Sequence, residues 1–231
     1  MIDDWTKRPW ASALLCFACQ PSTLLHESRI NGLIPESARM MLAGIEPGTR
    51  LWRNIHRHWS IALNKVLALP PLVPTVPLFK EPSLPLALLR QAQFEELRQL
   101  AGALLAGPLI RHSIRREHQK LLQKALGEPL YRFALSQAPA IHGGLRPGLS
   151  RDVHDLAADV PAWGDLLIAR AIETAPPEIA ERVRLRLPKE ASDRTTKDLP
   201  LEMDAEQALG LINALIETMD PQWLSSFRAP A

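Results

Sequence analysis

Six prolines fall within sixteen residues at 70–85, PPLVPTVPLFKEPSLP. Proline fixes φ and has no N–H, so it is excluded from a helix interior and from a central strand. The stretch therefore reads as an extended, polyproline-like connector, either a stiff spacer or a strap along a neighbouring surface. The same spacing also matches a PxxP ligand. The connector divides the chain into an N-terminal helical region (1–68), the connector itself (69–85) and a C-terminal helical domain (86–231). The sequence holds 21 prolines against 11 glycines. Ala and Leu dominate and β-branched residues are sparse, which favours helices broken by prolines over a sheet. The expected fold class is mainly α: an irregular multi-helix bundle with a Pro-rich connector and at most one short strand or hairpin.

Hydrophobic spacing places the helices. PWASALLCFAC (9–19) and PESARMMLAG (35–44) read as short helices. Thr49 caps a longer one, whose buried stripe is expected to be Leu51, Trp52, Ile55, Trp59, Leu63, Val66 and Leu67. A long helix runs from Leu86 to Gly107 through Phe94, Leu97, Leu100, Ala101, Leu104 and Leu105. Gly107 is expected to end it and Pro108 to open the next, which carries Ile110, Ile114, Leu121, Leu122 and Leu126 to Gly127. Further helices are expected from Pro129, over Trp163–Glu173 and from Pro177. VRLRLP (183–188) alternates over too few residues to decide between helix end and strand. HGGLRPGLS (142–150) reads as a loop and KEASDRTTKD (189–198) as a polar mobile stretch. Asp204 and Gln207 make a capping-box pattern for a last helix, with Ala208, Leu209, Ile212, Leu215, Ile216 and Met219 inward and Asp220-Pro221 as its stop.

The net charge is only +2, but it is uneven. Residues 1–68 carry 8 basic and 5 acidic side chains, residues 69–150 carry 10 and 5, and residues 151–231 carry 9 and 15. A basic middle and an acidic last third suit two faces for different partners. The weak total argues against a general nucleic-acid coat. No apolar run reaches the roughly 18–20 residues of a membrane span. Lys7-Arg8 before WASALLCFAC imitates a signal peptide, but Asp3, Asp4, Pro9 and the lack of a small-x-small site oppose that reading.

GALLAGP (102–108) is half of a phosphate-binding loop, with proline where lysine belongs. Such a loop needs a strand before it, and here the preceding segment has helical period. Gly102, among Ala101, Ala103 and Ala106, instead lets another helix approach. The basic stretch that follows holds Arg111, His112, Arg115, Arg116, His118 and Lys120 against Glu117 alone. Arg111, Arg115 and His118 are expected on one helical face. We take Arg111, Arg115, Arg116, His118 and Lys120 as the candidate docking residues for an acidic partner, since Arg suits bidentate carboxylate contacts. A solvated flank of an amphipathic helix is the bland alternative.

Other motifs carry less. Cys16-x-x-Cys19 lacks the further ligands of a zinc site, and buried, inert thiols are expected. His56 and His58 point roughly 200° apart on a helix and cannot share a metal. His26, His142 and His154 have no ligand spacing, and neither G-x-S-x-G nor H-E-x-x-H occurs. No catalytic, cofactor-binding or metal-ligating residue is therefore assigned. Of six tryptophans, Trp52 and Trp59 are expected in the core. Trp5, Trp10, Trp163 and Trp223 lie near element ends, where exposed anchors occur.

Three stretches in order resemble one family. FEELRQLAGALLAGPLIRHSIRREHQKLLQKALGEPLYRFAL (94–135) is similar to the central segment of the SctK (YscK) proteins of bacterial type III secretion. CFACQPSTLLH (16–26) is similar to an early family stretch. WGDLLIARAIETAPPEIAERVRLRLP (163–188) is similar to a late one, and Trp223 and Phe227 fit its tail. The resemblance implies a non-enzymatic, mainly helical adaptor of the sorting platform in the bacterial cytoplasm, peripherally associated with the inner-membrane secretion apparatus. It implies two partners. One is the inner-membrane ring protein of SctD type, through its forkhead-associated-like domain. The other is the C-ring-like protein of SctQ type, with the SctL-type stalk protein as a further candidate. No cofactor, nucleic acid or membrane insertion is implied. The competing readings are a helical nucleic-acid-binding or regulatory protein, or an enzyme with a dispersed site.

Overall fold

Where a helix carries glycine among alanines, a second helix can come to backbone contact, and here this decides the architecture. The computed structural model describes residues 5–33, 36–113, 115–143, 153–189 and 203–227. It is mainly α, with no strand among the described residues. The helices are α1 (Ala11–Cys19), α2 (Glu27–Leu33), α3 (Glu36–Ala43), α4 (Arg50–Val66), α5 (Val76–Phe79), α6 (Leu84–Ala87), α7 (Gln91–Arg111), α8 (Arg116–Leu126), α9 (Glu128–Ser136), α10 (Ala138–Ile141), α11 (Val153–Ala171), α12 (Pro177–Arg186), α13 (Ala205–Met219) and α14 (Pro221–Ser225). They form two compact units. One comprises residues 1–90, 175–193 and 226–231, the other 91–174 and 194–225.

The second unit is built on α7 and α11. From Ala101 to Pro108 every residue of α7 is buried. That half of the helix has no solvent face, as expected of a helix enclosed by others. α7 packs most extensively on α11 and also meets α9 and α13. A Cβ on Gly102 would lie 1.7 Å from the Val160 carbonyl oxygen, and one on Gly164 would lie 1.8 Å from that of Arg98. The two glycines thus face each other's helix, and the backbones touch. Beside them the buried Arg98 guanidinium grips buried Asp165 through Nε to Oδ1 and through a second bond of 2.9 Å to Oδ2, while its other nitrogen reaches Glu95. Burial opposes the Arg98 charge, but the bonds and charges of Asp165 and Glu95 outweigh it and hold the group above its ordinary value.

Two helices run further than their prolines predict. α7 does not stop at Gly107; it passes through Pro108 to Arg111, and α11 begins at Val153 and passes through Pro161. Each proline removes one bond, to Leu104 and Ala157 respectively. Pro108 stands three residues from the end of α7, and its own carbonyl accepts from His112 N at 3.0 Å. Gly107 serves the side chains instead. A Cβ there would meet the Arg111 guanidinium at 2.9 Å, just where Arg111 donates to the Ala134 carbonyl of α9 at 3.0 Å.

The first unit is held by a different device. Its Pro-rich segment is not uniformly extended: α5 and α6 form with Pro77 and Pro85 in their first turns, where a missing N–H costs nothing. Leu72, Leu78 and residues 83–89 are buried. The segment's free carbonyls find arginine donors on α12. Arg182 donates to Pro70 O at 2.7 Å, and Arg186 donates to Ala87 O at 3.0 Å. These two buried arginines, four apart, show that VRLR is helix. Trp10 stacks on Phe227 at 5.3 Å, meets Phe79 at the same distance, and donates to Ser226 O at 3.2 Å.

Thr49 caps α4 through Trp52 N at 3.2 Å, and Asp204 with Gln207 forms the capping box of α13, both as the sequence predicts. The α4 stripe is a correction. Only Leu63 of the expected set is buried, whereas Leu51, Val66 and Leu67 are exposed and Trp52 and Trp59 half-buried. The inward direction is taken by Ser60 and His56, which bond Ser22, so the helix is turned away from its aliphatic stripe. The stretches expected as loop and polar segment, 142–150 and 189–198, lie almost wholly outside the described residues, as does Ile114.

Gly102→Ala or Gly164→Ala should destabilise the second unit by about 3 kcal/mol in chemical denaturation, because backbone must move. Gly210→Ala on α13, where a Cβ meets nothing within 4 Å, should stabilise by about 1 kcal/mol instead. Asp165→Ala should cost about 3–5 kcal/mol by stranding a buried guanidinium, and the paired change Arg98→Met/Asp165→Leu should recover most of that loss.

Candidate interaction surface

The basic stretch after α7 is shaped by a corner. α7 ends where His112 N and Nδ1 both meet Pro108 O, the latter at 2.7 Å. The chain then turns through Ser113, whose carbonyl accepts from Gln119 Nε2 at 3.1 Å. α8 starts at Arg116 with Arg115 as its N-cap, and no side-chain bond caps it. The five candidate residues therefore do not share one continuous helix. Arg115, Arg116 and Lys120 are exposed at the start of α8, and His118 is half-buried there. Arg111 belongs to α7 and is committed to the Ala134 carbonyl.

This corner runs against helix electrostatics. The first turn of a helix favours acidic side chains and disfavours cations by about 0.3–1 kcal/mol each. Here Arg115 and Arg116 occupy the cap and first position, with Glu117 the only acid in that turn. Among the described residues, the Arg115, Arg116 and Lys120 side chains have no hydrogen-bond or ion-pair partner. Arg115 and Arg116, held where the helix dipole disfavours cations, form with the neighbouring Lys120 a surface suited to carboxylates.

A groove of about 390 Å³ in the second unit is lined by Glu95, Glu96, Gln99 and Leu100 of α7 and by Leu126, Pro129 and Leu130. Glu95 is already engaged by Arg98 and Gln91. Among the described residues no group of three His, Cys, Asp or Glu could hold a metal ion. Nor is any helix of them long and apolar enough to cross a membrane.

One constellation escaped sequence reading. Ser22 Oγ lies 2.8 Å from His56 Nδ1, 3.0 Å from His56 O and 2.8 Å from Ser60 Oγ. A Ser–His contact invites a nucleophile reading. Ser22 and Ser60 are buried, however, and the hydroxyl's bonds are spent on α4 itself. Burial holds the His56 ring below its ordinary value and favours the neutral imidazole. The group is a polar clamp between residues 21–24 and α4. No sequence signal joins positions 34 residues apart.

The cysteines correct a second expectation. Cys16 and Cys19 are both exposed, not buried. They share a face at the end of α1, three residues apart. Local burial, then the neighbouring Cys19, pushes the Cys16 thiol up, which lowers its thiolate fraction. The tryptophans also exchange roles. Trp10, at the start of α1, and Trp163, in the middle of the longer α11, are buried, while Trp52 and Trp59 stay half-buried. His56 points inward and His58 outward, as their spacing predicts.

No curated protein and no solved structure matches the chain. A family model described as YOP proteins translocation protein K (YscK) matches residues 52–223, which span α4 to α14 and include both the glycine crossing and the basic corner. The match covers well over half of the sequence, and the chain belongs to the YscK family, the SctK family of type III secretion.

Proposed function

We propose that this protein is a non-enzymatic adaptor of a type III secretion sorting platform, working in the bacterial cytoplasm against the inner-membrane apparatus. It bridges the forkhead-associated-like domain of the SctD-type ring protein and the SctQ-type C-ring-like protein, with the SctL-type stalk protein as a further neighbour. Family membership supports the setting. The single observation that supports an adaptor role for this surface is the α8 corner, where Arg115, Arg116 and Lys120 are exposed without partners among the described residues. A carboxylate-rich partner would neutralise all three and relieve the conflict of Arg115 and Arg116 with the helix dipole. Arg111, which holds α9, supports the corner from behind. A nucleic-acid role is less well supported, because among the described residues no exposed aromatic side chain accompanies these cations for base stacking.

Arg115→Glu/Arg116→Glu/Lys120→Glu should abolish capture of one of the two partners from the native cell, retain the other, and leave the helical circular-dichroism signal unchanged. Arg111→Glu should behave differently and lower thermal stability, because it breaks the bond to Ala134. Undiminished capture of both partners by the triple variant would remove the corner from the adaptor's work. Steep salt-dependent binding of DNA or RNA would replace the adaptor reading altogether.

A further inference from the structure

α4 presents a second surface with its own chemistry. Its seventeen residues include Arg50, Arg53, Arg57 and Lys65 and no acidic residue. Among the described residues these four side chains have no hydrogen-bond or ion-pair partner. Beside them lies an aliphatic stripe. At about 100° per residue, Leu51, Ile55, Ala62 and Val66 fall within roughly 60° of one another. Leu51 is 58% and Val66 72% exposed, and Ile61, among the cations, is 61% exposed. The stripe is bordered by half-buried Trp52 and Trp59 on one side and by the cations on the other. From α4 the unit's core takes Leu63 and Ser60 as buried residues with Trp59 packed against it, and Ile55 is half-buried, while Leu51, Ile61, Ala62, Val66 and the four cations stay exposed.

The arrangement discriminates between possible occupants. A bilayer surface needs aliphatic side chains at the outermost point of the helix, with cations on both flanks. Here the outermost direction carries Asn54, His58 and Lys65, and the stripe sits at the margin against the tryptophans. A nucleic acid would use the cations but leave Leu51 and Val66 in water. An amphipathic helix lying along α4 uses both sets, through aliphatic contacts at i, i+3, i+4 and i+7 and carboxylates opposite the arginines. Because the cations border the stripe on one side only, the complementary acids lie on one flank only.

We infer that α4 is a docking site for an acidic amphipathic helix of a partner protein, bound through an aliphatic stripe with carboxylates along one edge. This is a second surface, on the other unit from the α8 corner, and it does not depend on the assignment of that corner.

The test uses the full chain and a labelled, stapled peptide of about 18 residues with leucines on one stripe and glutamates on one flank, read by fluorescence anisotropy. Binding should be about tenfold tighter than for the same peptide carrying lysines. Arg50→Glu/Arg53→Glu/Arg57→Glu should weaken it about tenfold, and Leu51→Ser/Val66→Ser should do likewise, with helical signal retained in both. The α8 triple variant should bind the peptide as the parent does, so failure here leaves the adaptor reading standing. No binding, equal binding of both peptides, or indifference to the α4 substitutions would overturn the inference. Preferential binding to phosphatidylglycerol vesicles would assign the face to a membrane and overturn it too. So would self-association of the chain that the same substitutions abolish.

Discussion

Backbone contact between α7 and α11 is the constraint from which the second unit follows. A side chain at either Gly102 or Gly164 would sit inside a carbonyl group of the facing helix. Once the helices are that close, the flanking positions must be small, and Ala101, Ala103 and Ala106 are. The same closeness excludes water from Arg98 and Asp165. A buried ion pair gains little net stability, since desolvation offsets attraction. Its two parallel bonds accept one register of α7 against α11, however, so the pair selects the alignment that the glycines permit. Aliphatic packing alone would tolerate a slip.

The first unit solves an opposite problem. Prolines free its carbonyls from helix ladders, and buried carbonyls need donors. Arg182 and Arg186 supply them from neighbouring turns of α12, and Arg29 does so for Leu187 at 2.8 Å. Arginine serves here as a donor to backbone carbonyls, which its several N–H groups suit. Burial lowers the Arg182 proton affinity, against the pull of Glu178 and Cys19. The aliphatic stems of both residues complete the apolar surroundings.

Much of this was legible in the sequence, and the failures have physical causes. Thr49 and the Asp204–Gln207 box were readable because a cap is a local bond between residues three apart. Gly102 was readable as a close-approach site because small residues cluster around it, although its partner Gly164, sixty-two positions away, was not. Pro108 misled, since proline's preference for a first turn is the same whether a helix starts there or merely tolerates it near its end. The α4 stripe misled for a different reason. Periodicity says which residues share a face, not which face meets the core, and the Ser22–His56–Ser60 clamp decided that. The basic cluster was visible as composition. The corner that separates Arg111 from Arg115 and Arg116 was not.

Each unit thus offers one uncompensated basic surface, the α8 corner on one and the α4 face on the other, over interiors fixed by glycine contact and by arginine-to-carbonyl bonds. That arrangement suits the proposed adaptor, in which rigid interiors would hold charged edges for neighbours. Hydrogen exchange of the full chain, alone and with the SctD-type or SctQ-type protein added, tests this most directly. The account predicts that amides around Gly102 and Gly164 exchange slowest in the free second unit, that residues 115–120 exchange fast, and that one partner slows 115–120 without altering the crossing. Rapid exchange at the crossing, or partner protection that bypasses 115–120, would contradict it.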